Sequence, residues 1–118
     1  MQYLLMIYDE EKLWTTMSDS ERGKLMADYG ALTKQLIESK HFVGGNPLQP
    51  TSTATAVRVR DGKSVITHGP FAETREQLGG YYLIEARDLD EATAIAARIP
   101  SARFGCIEVR PIQVAPGK

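Results

Sequence analysis

Residues 67–82 read THGPFAETREQLGGYY, and this stretch decides how the elements on either side of it are arranged. Gly69-Pro70 ends one extended segment, because this dipeptide is typical of turns and loops. Gly79-Gly80 opens the next extended segment, which continues as a predicted strand over residues 81–86. The segment between these two turns concentrates charge, at Glu73, Arg75 and Glu76. The sequence therefore predicts a structured, polar loop between two strands.

The extended segment before this loop is one half of a predicted hairpin. Residues 56–60 and 63–67 flank Asp61-Gly62, a pair favoured in two-residue turns because both turn positions need positive φ. Three basic residues, Arg58, Arg60 and Lys63, cluster in this hairpin, which is typical of a solvated surface. The net charge of the chain is −1. A nucleic-acid partner usually needs a clearly basic face, so none is expected.

Three further strands are predicted outside this region. Residues 2–8 are continuously apolar or aromatic, as expected of a central strand that is covered on both faces. Residues 41–43 predict a short strand that ends in a turn at Gly44-Gly45-Asn46-Pro47. Near the C-terminus, residues 106–111 alternate between a polar and an apolar face, which is typical of a strand.

Two helices are predicted from capping signals and apolar periodicity. Ser18 and Glu21 have the spacing of a capping box, and the apolar positions that follow repeat as one buried helix face. Asp88 and Glu91 repeat the capping-box spacing ahead of a second helix, which Pro100 ends. The predicted buried faces comprise Leu25, Met26, Tyr29, Leu32, Thr33, Leu36 and Ile37 in the first helix and Leu89, Ala92, Ile95, Ala96 and Ile99 in the second.

The order β-α-β, hairpin, β-α-β predicts one α+β domain over residues 1–118, with the ferredoxin-like plan. In that plan two helices cover one face of an antiparallel sheet, so the other face is bare. A large exposed apolar sheet face normally marks an interface. We therefore expect a homodimer in which the two sheets face each other, the arrangement called a dimeric α+β barrel.

The composition is that of an ordinary globular domain, with 42% apolar and 25% charged residues among 118. No apolar run approaches the roughly 20 residues that a membrane helix needs, so no membrane partner is expected. The first residues lack the features of a secretory signal, and the single cysteine, Cys106, cannot form an internal disulfide. A reducing compartment such as the cytoplasm is the expected location.

The segment 67–82 resembles the signature of YCII-related proteins of the DGPF type, which reads roughly Asp-Gly-Pro-Phe-Ala-Glu-Thr-Lys-Glu-Gln-Leu-Gly-Gly. Other segments resemble the same family: the N-terminal Tyr-Leu-Leu-Met-Ile-Tyr strand, Asp28-Tyr29-Gly30, Gly45-Asn46-Pro47-Leu48, residues 87–92 and residues 108–111. The resemblance implies a dimeric α+β barrel with a cleft between sheet and helices. For DGPF-type members it also implies frequent gene neighbourhood with extracytoplasmic-function sigma factors, which suggests a sigma factor as a partner.

Two positions depart from the family pattern. The leading Asp of the signature is His68 here, so an acid-base role at that position would fall to an imidazole. Better-studied YCII-like relatives have a His on the first helix, paired with an Asp in a proposed catalytic dyad. That His falls near Tyr29 in this chain, and a tyrosine cannot act as a base near neutral pH unless its pKa is strongly lowered.

Each candidate site residue has a structural alternative. His68 enters the loop, where catalytic and binding groups are commonly placed, although a single histidine is more often structural. Glu73 and Arg75 are candidates for binding a polar ligand or for bracing the loop by a salt bridge. Tyr29 is a candidate ligand-binding residue or a core residue. Arg110 is a candidate anion site or one half of an ion pair at the interface.

Several classes of site have no motif in this sequence. There is no Gly-x-x-x-x-Gly-Lys-Ser/Thr and no Gly-x-Gly-x-x-Gly after a strand, so no nucleotide cofactor is expected. His41 and His68 are 27 positions apart without metal-ligand spacing, so no metal is expected. The absence of a Gly-x-Ser-x-Gly elbow argues against covalent catalysis.

Two functions fit this pattern, with a purely structural role as the alternative to both. The first is a protein without enzymatic activity that binds a small polar ligand in the cleft, near His68, Glu73, Tyr29 and Arg75, and is linked to sigma-factor regulation. The second is a cofactor-free enzyme in which His68 transfers a proton while Arg75 or Tyr29 stabilises developing charge. A His68 that lines an enclosed pocket with a second ionisable group would favour the enzyme, and an exposed His68 would favour the other functions.

Overall fold

The computed structural model describes residues 1–115, and an antiparallel four-stranded sheet forms its centre. Its strands are β1 (Gln2–Asp9), β2 (Phe42–Pro47), β5 (Gln77–Glu85) and β6 (Cys106–Pro111). They are arranged in the order β2-β5-β1-β6. Between β2 and β5 the chain forms a separate hairpin of β3 (Thr55–Arg60) and β4 (Lys63–His68). The expected ferredoxin-like α+β architecture is confirmed.

β1 is the central strand of the sheet, because it pairs with β5 on one side and with β6 on the other. Its side chains alternate between buried and half-exposed positions. Tyr3, Leu5 and Ile7 point to the helices, whereas Leu4 and Met6 point to the opposite face. In a single copy of the chain, one face of the sheet is therefore covered and the other is open.

Three helices connect the strands: α1 (Glu11–Thr16), α2 (Asp19–Glu38) and α3 (Leu89–Ala97). Both predicted caps are confirmed, since Ser18 Oγ accepts the backbone N–H of Glu21 at 3.1 Å and Asp88 Oδ1 accepts that of Glu91 at 2.9 Å. A 3-10 turn over Pro100–Arg103 follows α3. No helix in residues 1–115 is both long and apolar enough to cross a lipid bilayer.

The hydrophobic core lies between the sheet and the two longer helices. Three residues of the predicted helix faces, Met26, Ile37 and Leu89, are more than half exposed instead of buried. A helix buries only the stripe that meets the sheet, and these positions fall at the margins of that stripe. The core side chains are Tyr3, Leu5, Ile7, Leu32, Leu36, Tyr82, Ile84, Ala86, Ala92, Ile95, Ala96 and Ile99.

Two strands differ from their predicted bounds by more than one residue. β2 continues to Pro47 where a turn was predicted, because the segment from Phe42 onward pairs with β5. β2 is an edge strand, and proline is tolerated there because an edge strand has one side without ladder hydrogen bonds. β5 begins at Gln77, before the two glycines that were expected to open it.

The hairpin forms an arm that is separate from the central sheet. We use "the arm" for residues 55–76, which comprise β3, β4 and the loop before β5. Its turn at Asp61-Gly62 has φ values of 53° and 74°, as predicted. Apolar side chains of both strands are exposed, and Phe71 in the loop is 81% exposed. A two-stranded hairpin is only marginally stable in water by itself.

Candidate functional site

The carboxylate of Asp9 is buried at the end of β1, where the sheet meets α1. Because side chains alternate along a strand, Asp9 follows Tyr3, Leu5 and Ile7 on the helix-covered face. Its exposed fraction is 3%, which is unusual for an acidic side chain. A buried carboxylate requires hydrogen-bond partners, and their arrangement defines the candidate site.

Trp14 on α1 supplies one partner of this carboxylate. Its indole Nε1 donates to Asp9 Oδ2 at 3.1 Å. Arg22 holds the end of α1 in place, since its guanidinium donates to Trp14 O at 2.8 and 3.1 Å and to Met17 O at 3.1 Å. Tertiary contacts therefore fix the position of the indole, because a helix of 6 residues has little stability of its own.

The second carboxylate oxygen, Asp9 Oδ1, has no hydrogen-bond donor among residues 1–115. Every fully buried side-chain nitrogen or oxygen in this part of the chain has a partner, so Oδ1 keeps some contact with solvent. The pairing of β1 with β5 shifts between Ile7 and Tyr8, which leaves Gly79 as an extra residue in a β-bulge. A β-carbon at Gly79 would lie 3.7 Å from Oδ1. The glycine therefore leaves the space beside this oxygen open.

Tyr29 on α2 completes the aromatic side of the cluster. Its ring centroid is 6.4 Å from that of Trp14, and its hydroxyl is 2.5 Å from Oγ of the buried Ser101. Burial raises the pKa of the Tyr29 hydroxyl above its ordinary value of 10.0, and the nearby charge of Asp9 raises this pKa further. The hydroxyl is therefore a neutral hydrogen-bonding group at physiological pH and not a base.

Gly105 lets the turn that carries Ser101 approach the end of β1. The backbone N–H of Gly105 donates to Ser101 O at 2.7 Å. A β-carbon at Gly105 would lie 2.1 Å from Tyr8 O, so any side chain there would collide with the backbone of β1. The turn is thus seated directly against the strand that carries Asp9.

Both ends of the arm are anchored to the residues that follow Asp9. The backbone N–H of Glu11 donates to Gln77 Oε1 at 3.0 Å, just after the arm. The carboxylate of Glu11 accepts hydrogen bonds from N and Oγ1 of Thr51 at 2.8 and 3.0 Å, just before the arm. Arg75 Nε lies 3.2 Å from Glu10 Oε1. The base of the arm therefore borders the Asp9 cluster, the name used below for Asp9, Trp14, Tyr29 and Ser101.

Two of the sequence-predicted site residues lie beside this cluster, and a third lies elsewhere. Tyr29 belongs to the cluster, and Arg75 pairs with Glu10 next to it. Arg110 lies on the uncovered face of the sheet, where its Nε is 3.9 Å from Glu108 Oε2. In a single copy, Arg110 is therefore separated from Tyr29 by the sheet.

The other two predicted site residues lie in the arm. His68 is exposed at the end of β4, where it pairs with Thr55 across the hairpin. Glu73 is exposed in the loop that follows. The structure of one copy brings neither of them to the Asp9 cluster, and the exposure of His68 favours a function other than catalysis by this residue.

Three residues of the cluster, Asp9, Trp14 and Ser101, were not predicted as site residues. The sequence did indicate that Asp9 faces the helices, because it lies two positions after Ile7 in the alternating, inward-facing series of β1. Trp14 and Ser101 had no such signal, since they belong to a short helix and a turn that tertiary contacts define. Within residues 1–115, no three His, Cys, Asp or Glu side chains are grouped as metal ligands would be.

The fold and this cluster define a class of protein: a ferredoxin-like α+β domain with a buried carboxylate, an indole and a phenol at one end of its sheet. The family model of the YCII-related domain matches residues 1–115, and the chain belongs to this family. A protein of Rhizobium meliloti (strain 1021), described as uncharacterized protein R00369, is 35% identical over 114 residues. The alignment covers 95% of this chain and 92% of that protein.

A solved structure has the same fold at low sequence identity. It is the 5-chloro-2-hydroxyhydroquinone dehydrochlorinase TftG from Burkholderia phenoliruptrix AC1100, in complex with 2,5-dihydroxybenzoquinone. The TM-score is 0.59, and the match covers 98% of this chain and 96% of that chain. The identity is 14%, so the similarity supports the fold and carries no residue roles over to this chain.

Proposed function

We propose that this chain binds a small polar molecule in a cleft between sheet and helices. The binding site would be the Asp9 cluster, formed by Asp9, Trp14, Tyr29 and Ser101. The observation that carries the proposal is the asymmetry of the Asp9 carboxylate. Trp14 fixes Oδ2, whereas Oδ1 has no donor and borders the bulge at Gly79. Oδ1 keeps some contact with solvent, so a ligand can reach it. A ligand O–H or N–H group that donates to Oδ1 would form a charge-assisted hydrogen bond, which is stronger than one between neutral groups.

The neighbouring groups determine which ligands fit. The hydroxyls of Tyr29 and Ser101 share one hydrogen bond, so one of the two keeps its proton available for an acceptor on the ligand. The raised pKa of Tyr29 keeps this hydroxyl protonated at physiological pH. A small ring compound with adjacent hydroxyl and carbonyl groups would donate to Asp9 and accept from the tyrosine, whose hydroxyl Ser101 orients from its buried side. Arg75, which pairs with Glu10 beside the cluster, would contact polar substituents of that ring.

A second candidate function is cofactor-free proton transfer, and the same carboxylate favours it. A carboxylate that is held by one hydrogen bond and shielded from water is suited to accept a proton from a bound ligand. The similar solved structure is that of a dehydrochlorinase with a bound dihydroxybenzoquinone, so this fold carries an enzymatic reaction in that protein. His68 is the alternative proton-transfer group, and a second copy of the chain would have to enclose it.

Thermal-shift measurements with small phenols, hydroxyquinones and keto-enols test the binding proposal. A ligand at 100 times its Kd stabilises a protein by about 2.7 kcal/mol, which raises the melting temperature measurably. Asp9→Asn should weaken binding about tenfold or more, because a hydrogen bond to a charged group contributes about 1.5–3 kcal/mol. Gly79→Ala should also weaken binding, since its methyl group fills the space beside Oδ1.

Asp61→Asn is the matched control. It makes the same Asp-to-Asn change in the hairpin turn of the arm, outside the Asp9 cluster, and Asn-Gly favours the same turn as Asp-Gly. It should bind like the wild type. An Asp9→Asn variant with wild-type affinity for every ligand found would contradict the proposal.

If a panel compound is turned over, two variants identify the base. Loss of turnover in Asp9→Asn with retention in His68→Ala assigns the base to Asp9, and the reverse result assigns it to His68.

We also propose a homodimer that forms through the uncovered sheet face. The register of β1 and β5 sets Leu4 opposite Leu83 and Met6 opposite Tyr81 on this face. These four side chains form an apolar patch that a second copy would cover. Arg110, at the margin of the patch, would then form an interface ion pair or hold an anionic group between the two copies.

A link to sigma-factor regulation is proposed on the gene neighbourhood that the sequence resemblance implies. Affinity purification of the tagged chain, followed by mass spectrometry for sigma factors encoded beside it, tests this link. Recovery of such a sigma factor at a higher level with wild type than with a Leu83→Arg variant would tie the partner to the sheet face. Failure to recover one with either protein would contradict the link.

A further inference from the structure

A second polar cluster lies at the other end of the sheet from Asp9. It consists of Ser39 at the end of α2, His41 just before β2 and Glu91 in the first turn of α3. These residues surround the start of β1, whereas Asp9 is its last residue. A strand of 8 residues is about 25 Å long, so this cluster is independent of the proposed ligand site.

The second cluster lines an open groove of about 290 Å³. The polar side chains along the groove are those of Ser39, Lys40, His41, Glu85, Arg87 and Glu91. Ser39 is exposed, while His41 and Glu91 are about one-quarter exposed. The groove is close to the lower size limit of small-molecule sites, so a short-chain compound can reach the serine hydroxyl while the other two side chains stay partly shielded.

The imidazole of His41 connects the serine to the glutamate. His41 Nδ1 is 2.6 Å from Ser39 Oγ, and His41 Nε2 is 3.3 Å from Glu91 Oε1. The backbone N–H of Arg87, at 2.9 Å, and then its guanidinium, at 3.2 Å, hold the pKa of Glu91 below its ordinary value of 4.5. Glu91 is therefore ionised at neutral pH, so a neutral imidazole carries its proton on Nε2, facing the carboxylate. Nδ1 is then an acceptor for the Ser39 hydroxyl, at a shorter distance than the other acceptor of that hydroxyl, Leu36 O at 3.3 Å.

We propose that Ser39, His41 and Glu91 form a nucleophilic serine site that hydrolyses small esters. The arrangement provides a nucleophile within hydrogen-bond reach of a base, and a third group that orients the base. Ser39 Oγ forms a bond to the ester carbonyl carbon while His41 Nδ1 takes the hydroxyl proton. The bond to the leaving oxygen then breaks, and the imidazolium returns the proton to that oxygen. Water, deprotonated by the same imidazole, then hydrolyses the acyl-serine and restores the hydroxyl.

Two features of the groove stabilise the charges that develop in this reaction. Lys40 is one of the residues that line the groove, and its ammonium has no hydrogen-bond or ion-pair partner within residues 1–115, so this flexible side chain is available to neutralise the oxyanion. The backbone N–H groups at this end of α2 are already hydrogen-bonded to the helix and cannot serve as oxyanion donors. The negative end of the α2 dipole favours the imidazolium that forms when the serine proton is transferred.

No sequence motif indicates this site. Ser39 and His41 are two positions apart, and Glu91 follows His41 by 50 positions. The expectation against covalent catalysis rested on the missing serine elbow, which is one way to expose a serine beside a base. Here the end of a helix places the serine next to the histidine, and the packing of α3 brings the glutamate to the other ring nitrogen.

Ester hydrolysis and covalent labelling of the full chain test the proposal. The wild type should hydrolyse p-nitrophenyl acetate with an initial burst of p-nitrophenol. A fluorophosphonate probe should label Ser39, as located by mass spectrometry of the peptides. Ser39→Ala should lose the label and at least about tenfold of the rate, because the acyl-serine can no longer form. Glu91→Gln should lower kcat with little change in KM, because Glu91 positions the imidazole without contacting the ester.

Ser52→Ala is the matched control, since Ser52 is an exposed serine in the 3-10 turn before the arm. It should hydrolyse the ester and take up the label like the wild type. Melting temperatures confirm that the variants fold, and Ser39→Ala removes only an exposed hydroxyl. A wild type without the Ser39 label, or a Ser39→Ala variant with the wild-type rate, overturns the proposal. A Ser39→Ala variant with the wild-type rate would assign the hydrolysis to the His41 imidazole alone.

Discussion

Two tyrosine hydroxyls on the helix side of the sheet have different surroundings. The Tyr29 hydroxyl shares its hydrogen bond with Ser101 Oγ, and Ser101 is fully buried. The Tyr82 hydroxyl is 2.8 Å from Thr33 Oγ1, which also donates to a backbone carbonyl of α2 at 3.0 Å. Loss of the Tyr29 hydroxyl leaves the buried Ser101 hydroxyl without a hydrogen-bond partner among the described residues. Loss of the Tyr82 hydroxyl leaves Thr33 with its hydrogen bond to the backbone carbonyl.

Tyr29→Phe should therefore lower the free energy of unfolding more than Tyr82→Phe does. An unsatisfied buried hydroxyl costs about 1–3 kcal/mol, whereas loss of an ordinary hydrogen bond costs about 1 kcal/mol. Urea unfolding of the two variants and the wild type measures the difference. The two substitutions remove the same atom from the same residue type, so each is the control of the other. A larger loss for Tyr82→Phe would contradict this account of the Asp9 cluster.

A second prediction at the residue scale concerns two glycines with opposite surroundings. A β-carbon at Gly105 would lie 2.1 Å from a backbone oxygen of β1, whereas one at Gly30, inside α2, would meet nothing within 4 Å. Gly105→Ala should destabilise the fold by about 1–3 kcal/mol through this collision. Gly30→Ala should stabilise it by about 0.5–1 kcal/mol, because alanine favours the helix. Thermal unfolding that shows no loss for Gly105→Ala would contradict the close approach of the turn to β1.

The same scale shows how much of the candidate site the sequence could predict. Tyr29 was predicted because the His of better-studied relatives falls near it, while the periodic helix face predicted only its burial, and Asp9 could have been predicted from the alternation of β1. Ser101 and Trp14 could not, because their contacts depend on how a turn and a short helix pack against the strand. Sequence patterns report local periodicity, and these contacts join residues that are far apart along the chain.

At the scale of elements, α2 and α3 begin with different caps that respond differently to pH. The serine that caps α2 does not titrate. The carboxylate of Asp88 caps α3, and the backbone N–H of Glu91 holds the pKa of Asp88 below its ordinary value of 3.8. A lowered pKa means that the folded state stabilises the charged form. The contribution of Asp88 is therefore complete above the ordinary pKa and is lost as the pH falls through the lowered pKa.

Asp88→Ser should consequently reduce the loss of stability on acidification. Serine still caps a helix but carries no charge, so the free energy of unfolding of this variant should fall less than that of the wild type between about pH 5 and pH 2. Ser18→Ala is the control: it should lower stability by about 1 kcal/mol at every pH without changing the slope. Urea unfolding across this pH range measures both effects. Parallel pH profiles for Asp88→Ser and the wild type would contradict the role of Asp88.

Elements with local signals were predicted, and elements that depend on tertiary contacts were not. Both longer helices and the hairpin turn at Asp61-Gly62 have caps or turn residues that act within a few positions. α1 is held by the guanidinium of Arg22, which joins it to α2, and it has no side-chain cap that would indicate its start. β2 runs through Gly44 to Pro47 because β5 offers a free edge, and pairing at that edge overrides the turn preference of the segment.

At the scale of the whole molecule, the chain is flat and carries a protruding arm. Its extents are 50 × 48 × 19 Å, so its thickness is that of one sheet and one layer of helices. The radius of gyration is 16.5 Å, which exceeds the about 13 Å expected for a compact domain of about this length. The sequence predicted the single helix layer from the presence of two long helices. It could not predict which contacts stabilise the arm, because Val57, Ile66 and Phe71 have exposed side chains in a single copy.

The homodimer proposal predicts that one substitution on the open sheet face separates the copies. Leu83 lies opposite Leu4 on this face, so Leu83→Arg would place a charge in the centre of the proposed interface, where an unpaired buried charge is strongly unfavourable. Sedimentation equilibrium should give twice the chain mass for the wild type and the mass of one chain for this variant. Ile37→Arg is the matched control, because Ile37 is an exposed aliphatic residue on the helix side, and it should remain dimeric. A wild type that sediments as a single chain at micromolar concentration would contradict the dimer and would leave the open face to another partner.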